Sequence, residues 1–280
     1  MEKLSTRKVN PILKLKKGEY KYLSPNVSKT NKKYILFFCN RKNIKNFYGE
    51  INIAISKNLY NWKKKLYPIL KPKKKHGYRS YISPYFYKHK NKNYLFVEAQ
   101  KKNGSDILCF TSKNVKRWSI YNNFKLRKKN NSFQSPCIYK INNKINLYYS
   151  YNKKKINCLV LNSKLKKIKN INCLKSTLPN EKFSIYSPSL IKINNFYYMF
   201  YAAWKNDKTG NINCAYSKDG ISWKKFKQNL FNIQKPVKIV SEPHVIIKDS
   251  TLLIFFEYKK NNLWNISCRK IKYDYKKNTF

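Results

Sequence analysis

The sequence predicts an all-β fold: a five-bladed β-propeller of four-stranded antiparallel blades, closed by an N-terminal strand and forming a single domain over residues 1–280. Three observations predict it. A repeat starts at five proline-containing pairs, each repeat opens with a β-hairpin pattern, and further β-rich segments follow each hairpin. The repeats start at Ser24-Pro25, Ser83-Pro84, Ser135-Pro136, Ser187-Pro188 and Glu242-Pro243.

The spacing of these starts accounts for the whole chain. They lie 59, 52, 52 and 55 residues apart. In a closed ring each sheet covers the apolar face of its neighbour, and few strand edges stay exposed. An open solenoid of the same units is the alternative, but it needs terminal units with polar outer faces, and none is recognisable in the sequence.

Each hairpin consists of two β-rich runs separated by two polar residues. Asn142-Asn143, Asn194-Asn195 and Asp249-Ser250 occupy these turns. Asparagine, aspartate and serine suit two-residue turns, which need a positive φ. The first two strands of each repeat are therefore predicted to pair through tight turns.

A third and a fourth strand follow each hairpin. The third is predicted in segments such as DILCFTS and NINCAYS, where Cys109, Cys158, Cys214 and Cys268 occupy equivalent places. Three repeats then carry a serine and a tryptophan six residues apart, before a predicted outer strand. These pairs are Ser56 with Trp62, Ser112 with Trp118, and Ser217 with Trp223.

The N-terminus is predicted to close the ring. Residues 10–14 (NPILK) resemble residues 67–71 (YPILK), which are predicted to form the outer strand of the first repeat. The fifth repeat reaches the end of the sequence without an outer strand of its own. Residues 10–15 are therefore expected to supply it.

The charge is unusual in sign but ordinary in amount. Lys and Arg number 62 against 12 Asp and Glu, a formal net charge of +50, while charged residues make up 26% of the chain. The excess of positive charge is spread along the sequence, whereas a nucleic-acid surface concentrates it in a patch, so a nucleic-acid partner is not favoured.

No apolar run reaches the length of a membrane span, and no secretory signal is recognisable, so the expected location is cytoplasmic. Composition does not predict the oligomeric state.

Cofactor and metal sites are not expected. The six glycines form no dinucleotide or phosphate-binding loop, and the seven cysteines include no CxxC pair. Equivalent cysteines in different blades lie too far apart to bond, so reduced thiols are expected.

The residues that head the first strands should converge on one central pocket. These are Ser24, Ser83, Ser135, Ser187 and Glu242. If the antiparallel pairing of each hairpin runs without interruption from its two-residue turn, these residues pair with residues on the second strands. The predicted partners are Cys39, Glu98, Ser150, Ala202 and Glu257. Glu242 and Glu257 are then neighbours, with His244 on the same face, and Glu98, Glu242 and Glu257 are candidate catalytic carboxylates. The alternative for each glutamate is a structural ion pair with Lys or Arg.

The repeat resembles the five-bladed propeller glycosidases, chiefly glycoside hydrolase family 43 and its relatives in families 32, 68 and 130. The resemblance rests on [S/E]-P-x-x-[hydrophobic]-K-x-N-N-x-[Y/F]-Y-[L/M]-F-Y followed by S-x-D-G-x-x-W, and it covers nearly the whole chain. It implies an aspartate at the head of each of the first two blades and a glutamate in a later one. Here Ser24 and Ser83 stand at the aspartate positions, and Glu242 is the matching carboxylate.

The resemblance implies a glycan-acting hydrolase or transferase. With two aspartates replaced, Glu242 is the expected acid and Glu98 the expected opposite carboxylate. A non-catalytic carbohydrate-binding propeller is the alternative. Sugar contacts are expected from Tyr81, Tyr85, Gln134, Tyr186 and Trp204, because aromatic rings stack on sugars and polar groups bond to them. Arg79 suits a carboxylated or phosphorylated sugar.

Overall fold

The protein is all-β. The computed structural model describes residues 4–5, 9–16, 18–19, 21–30, 32–41, 48–72, 77–271 and 273. A short 3-10 turn at Pro179–Glu181 interrupts the strands. Within the described ranges, no helix is long and apolar enough to cross a membrane.

Each sequence repeat forms an antiparallel sheet. The first contains β2 (Lys21–Thr30), β3 (Lys33–Arg41), β4 (Glu50–Ser56) and β5 (Lys63–Lys64); the second contains β6 (Ser80–His89), β7 (Lys92–Gln100), β8 (Ser105–Ser112) and β9 (Ser119–Leu126). The third contains β10 (Phe133–Ile141), β11 (Lys144–Tyr151), β12 (Lys155–Leu161) and β13 (Lys167–Lys175). The fourth contains β14 (Ser184–Ile193), β15 (Phe196–Asn206), β16 (Thr209–Ser217) and β17 (Lys224–Lys225), and the fifth contains β19 (Val237–Lys248), β20 (Thr251–Lys260) and β21 (Leu263–Ile271). Outside these sheets, β1 (Leu4–Ser5) pairs in parallel with β18 (Phe231–Asn232).

The sheets pack face to face around a common centre. Buried apolar clusters lie between repeats one and two, two and three, three and four, four and five, and five and one. Single parallel bridges also join β16 to β19 and β2 to β21. This arrangement is a β-propeller, in which neighbouring sheets bury each other's apolar faces.

A β-bulge interrupts the first strand of every repeat at the serine or glutamate that precedes the proline, which we call the head residue. The five head residues all have positive φ, between 47° and 56°. Each bulge inserts one extra residue, which shifts the pairing and turns the following side chains to the other face. The predicted register at the head is therefore wrong by one residue: Ser241, not Glu242, pairs with Glu257, and Ile82, not Ser83, pairs with Glu98.

Away from the bulge, the predicted hairpin pattern is confirmed. Asn142 and Asn143 both have positive φ in the turn between β10 and β11. Cys109 pairs with Phe96 and Cys214 with Phe200, so the third-strand cysteines occupy equivalent register positions. All seven cysteines are free thiols.

The serine and tryptophan six residues apart form one local structure in three repeats. Ser56 Oγ accepts the backbone N–H of Leu59, and Trp62 Nε1 donates to the Leu59 carbonyl at 2.8 Å. The pairs at Ser112 and Ser217 make the same two bonds, through Val115 and Gly220. The motif thus satisfies the backbone where the chain leaves the third strand.

The N-terminal segment contacts the fifth repeat without forming a regular strand. Ile12 donates its backbone N–H to the Ile266 carbonyl at 2.9 Å, and Ser267 Oγ donates to the Asn10 carbonyl at 2.8 Å. Val9 and Leu13 are each 5% exposed and belong to the two clusters that flank this repeat. The segment is thus tied to β21 by hydrogen bonds and by apolar packing.

Candidate functional site

A cavity of about 250 Å³ lies at the centre of the propeller, where the first strands begin and the second strands end. All five repeats contribute to its wall. It is lined by Lys21, Leu23, Arg41, Ile82, Glu98, Gln100, Gln134, Ser135, Lys153, Tyr186, Trp204, Glu242, Glu257 and Trp264. The cavity thus brings three carboxylates, three cations and three aromatic rings together.

Glu242 has the least satisfied carboxyl group of the three glutamates. It is 8% exposed, and its Oε2 atom has no hydrogen-bond partner among the described residues. Burial raises its pKa to about 7, and the negative charge of Glu98 adds to the rise, whereas a bond from Ser24 and the positive charge of Lys153 lower it. Near neutral pH this carboxyl is therefore partly protonated.

Glu257 contacts both Glu242 and the first repeat. It accepts the backbone N–H of Ser24 at 3.0 Å through Oε2. Burial, and then the charge of Glu242, raise its pKa well above the usual range. Glu257 therefore holds its proton more tightly than an exposed glutamate does.

Glu98 makes the equivalent backbone contact in another part of the ring. It accepts the N–H of Ser135 at 3.2 Å and side-chain bonds from Gln100 at 3.0 Å and Gln134 at 3.3 Å. Burial raises its pKa, but all three bonds favour the ionised form and oppose that rise. Glu98 and Glu257 thus share a structural role, since each binds the bulge of the following repeat. No acid–base role follows from these bonds alone.

Three of the head serines form a row of hydroxyl groups beside the carboxylates. Ser83 Oγ lies 3.5 Å from both Ser24 Oγ and Ser135 Oγ. Ser135 lines the cavity, while Ser24 and Ser83 are buried next to it. Ser187 is half-buried and lies outside the lining.

Aromatic side chains form one wall of the cavity. The Trp204 and Trp264 rings are stacked, with centroids 6.4 Å apart and planes 10° from parallel. Ser241 Oγ fixes the neighbouring groups, because it lies 2.7 Å from Tyr186 Oη and accepts the Trp204 Nε1–H at 3.2 Å. The indole faces are thus held in place before any ligand binds.

His244 does not lie on the strand face that was predicted for it, the face that carries Glu242. Its Nδ1 accepts from Asn26 Nδ2 at 3.2 Å, its Nε2 donates to the Val27 carbonyl at 2.9 Å, and its ring packs 6.0 Å from Tyr85. Burial lowers its pKa to about 4, so it is neutral at physiological pH. The bulge after Glu242 has turned it away from the cavity lining and towards the first strand of repeat one, which corrects the prediction that it shares a face with Glu242.

Tyr81 and Tyr85 also lie outside the cavity lining. Tyr81 is 3% exposed and packs against Tyr78 and Phe110 in the cluster between repeats one and two. Tyr85 follows the bulge, like His244, and burial raises its pKa well above the usual range. Both side chains therefore pack in the interior, contrary to the predicted sugar contacts.

A second cavity of about 380 Å³ opens beside the first. It contains Arg79, the predicted anion-binding residue. Its wall is formed by Arg79, Glu98, Gln100, Lys101, Lys102, Gly104, Ser105, Ser132, Gln134 and Lys153. We call it the side cavity.

Seven residues of the central cavity were not predicted from the sequence: Lys21, Leu23, Arg41, Ile82, Gln100, Lys153 and Trp264. The repeat contains a signal for two of them. Arg41 and Gln100 stand 17 residues after the heads of their repeats, as does the predicted sugar-binding residue Trp204. Arg41 donates to Gln100 Oε1 at 3.0 Å, so these equivalent positions meet across repeats.

Within the described residues, no group of three or more His, Cys, Asp or Glu side chains is arranged to hold a metal ion.

Gly104 is required at the edge of the side cavity. Its φ is +89°, and a Cβ atom there would meet the Asn131 backbone carbonyl, whereas Gly18 has a φ of +82° and nothing within 4 Å. Gly104→Ala is therefore expected to lower the free energy of unfolding by about 1–3 kcal/mol more than Gly18→Ala does. Urea denaturation of the two variants measures the difference. Equal losses of unfolding free energy in the two variants would show that the loop at Asn131 can move to accommodate the added methyl group.

A family model and several solved structures match this chain. The family model described as the glycosyl hydrolases family 32 N-terminal domain matches residues 14–177, more than half of the chain. No curated protein matches the sequence. The sequence-based resemblance to propeller glycosidases is thus confirmed at the level of the family.

Solved structures share the fold at low sequence identity. A thermostable family-43 glycoside hydrolase superposes with a TM-score of 0.74 and 17% identity over 92% of this chain and 90% of its own. An exo-1,5-α-L-arabinanase from a bovine ruminal metagenomic library superposes with a TM-score of 0.74 and 14% sequence identity. The match covers 96% of this chain and 98% of the arabinanase. The Cellvibrio cellulosa α-L-arabinanase, solved with arabinohexaose, superposes with a TM-score of 0.73 and 15% sequence identity. The match covers 91% of this chain and 93% of that arabinanase.

Proposed function

The chain belongs to the family of the glycosyl hydrolases family 32 N-terminal domain, and from this premise we propose that it is a glycan-acting enzyme, a glycosidase-like hydrolase or transferase that works in the central cavity. The observation that carries the proposal is Glu242. Its side chain lines the cavity, its Oε2 atom makes no hydrogen bond within the described chain, and its carboxyl has a pKa of about 7.

Glu242 fits the part of general acid. A group that protonates a leaving oxygen works best when its pKa lies near the working pH, because it must hold the proton and still release it. Glu242 keeps a large protonated fraction at neutral pH, and its buried Oε2 atom makes no hydrogen bond to the described chain that a substrate would have to replace.

Glu98 fits the part of the opposite carboxylate. Glu98 accepts three hydrogen bonds that favour its ionised form, whereas Glu242 accepts one such bond from Ser24, and burial raises the pKa of both carboxyls. A pair of carboxyls in unlike environments is the arrangement that acid–base catalysis on a glycosidic bond needs. Glu257, which binds the Ser24 backbone, is a positioning residue in this proposal.

The indoles of Trp204 and Trp264 supply the surface for the sugar. Sugar rings present apolar C–H faces that pack on aromatic rings, and the bond from Trp204 to Ser241 holds this surface rigid. Gln134 and Lys153 provide polar groups on the same cavity wall.

The pH profile tests the acid. On a panel of chromogenic glycosides, kcat/KM for any substrate that is cleaved is expected to fall as the pH rises through about 7, because Glu242 then loses its proton. Steady-state kinetics between pH 5 and pH 9 would measure it. A rate that stays level or increases across this interval would rule out Glu242 as the acid.

A non-catalytic sugar-binding propeller is the second candidate. The row of hydroxyls at Ser24, Ser83 and Ser135 favours it, because two of these serines stand where the resemblance implies aspartates. Serine can bond to a sugar but cannot act as a base without a partner that takes its proton. Saturable sugar binding in calorimetry without any product in the glycoside panel would favour this candidate over the enzyme.

We also propose that the propeller has five blades and that residues 10–15 close the fifth. The five interfacial clusters, including the one between repeats five and one, support this count. The bond from Ile12 to Ile266 supports the closure.

A further inference from the structure

We propose that the glycan is acidic: the sugar ring lies in the central cavity, and its carboxylate, or an attached phosphate, lies in the side cavity between Arg79 and Lys102. This inference rests on the proposed function, because it assigns a ligand class to the same site.

The two cavities adjoin each other. They share Glu98, Gln100, Gln134 and Lys153 on a common wall. A sugar stacked on the indoles of the central cavity can therefore extend a substituent past this wall into the side cavity without leaving the site.

The side cavity is strongly cationic. Arg79, Lys101, Lys102 and Lys153 line it, and Glu98 is the one carboxylate in its lining. Glu98 is already occupied by the Ser135 N–H and by the amides of two glutamines. With four cations against one carboxylate, the lining of the side cavity keeps a net positive charge.

Two of these cations are available to an anion. Lys101 is bound to Asp106 at 2.7 Å, but Arg79 and Lys102 have no carboxylate partner among the described residues. Both are exposed, so they can reach a ligand without first being desolvated. The planar guanidinium of Arg79 matches the two oxygens of a carboxylate or phosphate.

The central cavity adds to the positive potential. Lys21, Arg41 and Lys153 line it opposite three glutamates. Burial raises the pKa of Glu242 and Glu257, so these two carry less negative charge near neutrality than exposed glutamates do. An anionic sugar therefore meets little repulsion at the reacting centre.

Positive charge alone does not single out this site in a chain with a net charge of +50. Lys113 and Arg117, for example, line a separate surface depression. The side cavity differs because four of its lining residues also line the central cavity. The other depression supplies a matched control with the same charge.

Matched pairs of small ligands test the inference. Calorimetry would compare a galacturonic acid trimer with its methyl ester, and glucose 6-phosphate with glucose, so that each pair differs in charge and the two arms separate carboxylate from phosphate. The full-length protein is expected to bind the acidic member of at least one pair about tenfold or more tightly. Arg79→Gln combined with Lys102→Gln should remove most of that preference, whereas Lys113→Gln combined with Arg117→Gln should leave it intact.

The outcomes separate this inference from the proposed function. Equal affinity for the acidic and neutral members would overturn the inference and leave a glycan-binding cavity standing. Equal loss in the two double variants would also overturn it, because the preference would then come from overall charge. If no ligand of either charge binds and no glycoside is cleaved, the proposed function fails, and the inference fails with it.

Discussion

Glu242→Gln is expected to lower kcat/KM by roughly 10²–10⁴-fold on any glycoside that the protein cleaves. The amide has nearly the shape of the acid but cannot give a proton to a leaving oxygen. Because Glu242 Oε2 makes no hydrogen bond within the described chain, the substitution breaks no bond at that atom. The loss should therefore appear mainly in kcat, with KM little changed.

Glu257→Gln is the matched control, since it changes a neighbouring carboxyl that lies in the same cavity. Glu257 accepts the Ser24 N–H through one oxygen, and a glutamine carbonyl can accept the same bond. Its effect on kcat is therefore expected to be far smaller. Activity that survives Glu242→Gln, or falls equally in both variants, would contradict the assignment of Glu242 as the acid.

Melting temperatures show whether the Glu242 variant is intact. The folded-state pKa of Glu242 is raised to about 7, so the folded protein binds more protons than the unfolded chain between about pH 4.5 and 7. Stability from this group is present at low pH and is lost as the pH rises through that interval. Glu242→Gln should consequently melt no lower than the unmodified protein at pH 8.

Removal of residues 1–15 is expected to cause aggregation or a melting temperature far below that of the intact chain. The deletion removes the buried side chains of Val9 and Leu13 and the bonds of residues 10 and 12 to β21. Burial of such side chains contributes about 1.5–3 kcal/mol each, and each bond about 1 kcal/mol, against a total stability of about 5–15 kcal/mol. The deletion also uncovers the third strand of the fifth repeat.

Two further variants make this result interpretable. Among the contacts of the described residues, removal of residues 1–5 deletes the two-residue pairing of β1 with β18, so its effect should be much smaller. Leu13→Ala keeps the chain length and should lower the melting temperature by an intermediate amount. Equal melting temperatures for the fifteen-residue deletion and the full chain would show that the propeller closes without this segment.

Local patterns in the sequence determined much of this structure. The repeat, the tight turns at residues such as Asn142 and Asn143, and the equivalent places of the third-strand cysteines all follow from periodicities within about 55 residues. They are predictable because side-chain alternation and turn chemistry act between near neighbours. The approach of Glu98, Glu242 and Glu257 to one cavity follows from the same repeat, since equivalent positions converge in a ring.

Only the tertiary structure decided which face each side chain takes beyond the bulge. One inserted residue at each repeat head reverses the alternation, so the side chains of His244 and Tyr85 lie outside the lining of the central cavity. The convergence of Lys153 and Trp264 on the cavity likewise depends on how separate sheets pack. The same packing buries Glu242 next to Glu98 and raises its pKa, because burial and a second carboxylate disfavour the charged form. Such contacts join residues more than a hundred positions apart, where no local pattern specifies the distance.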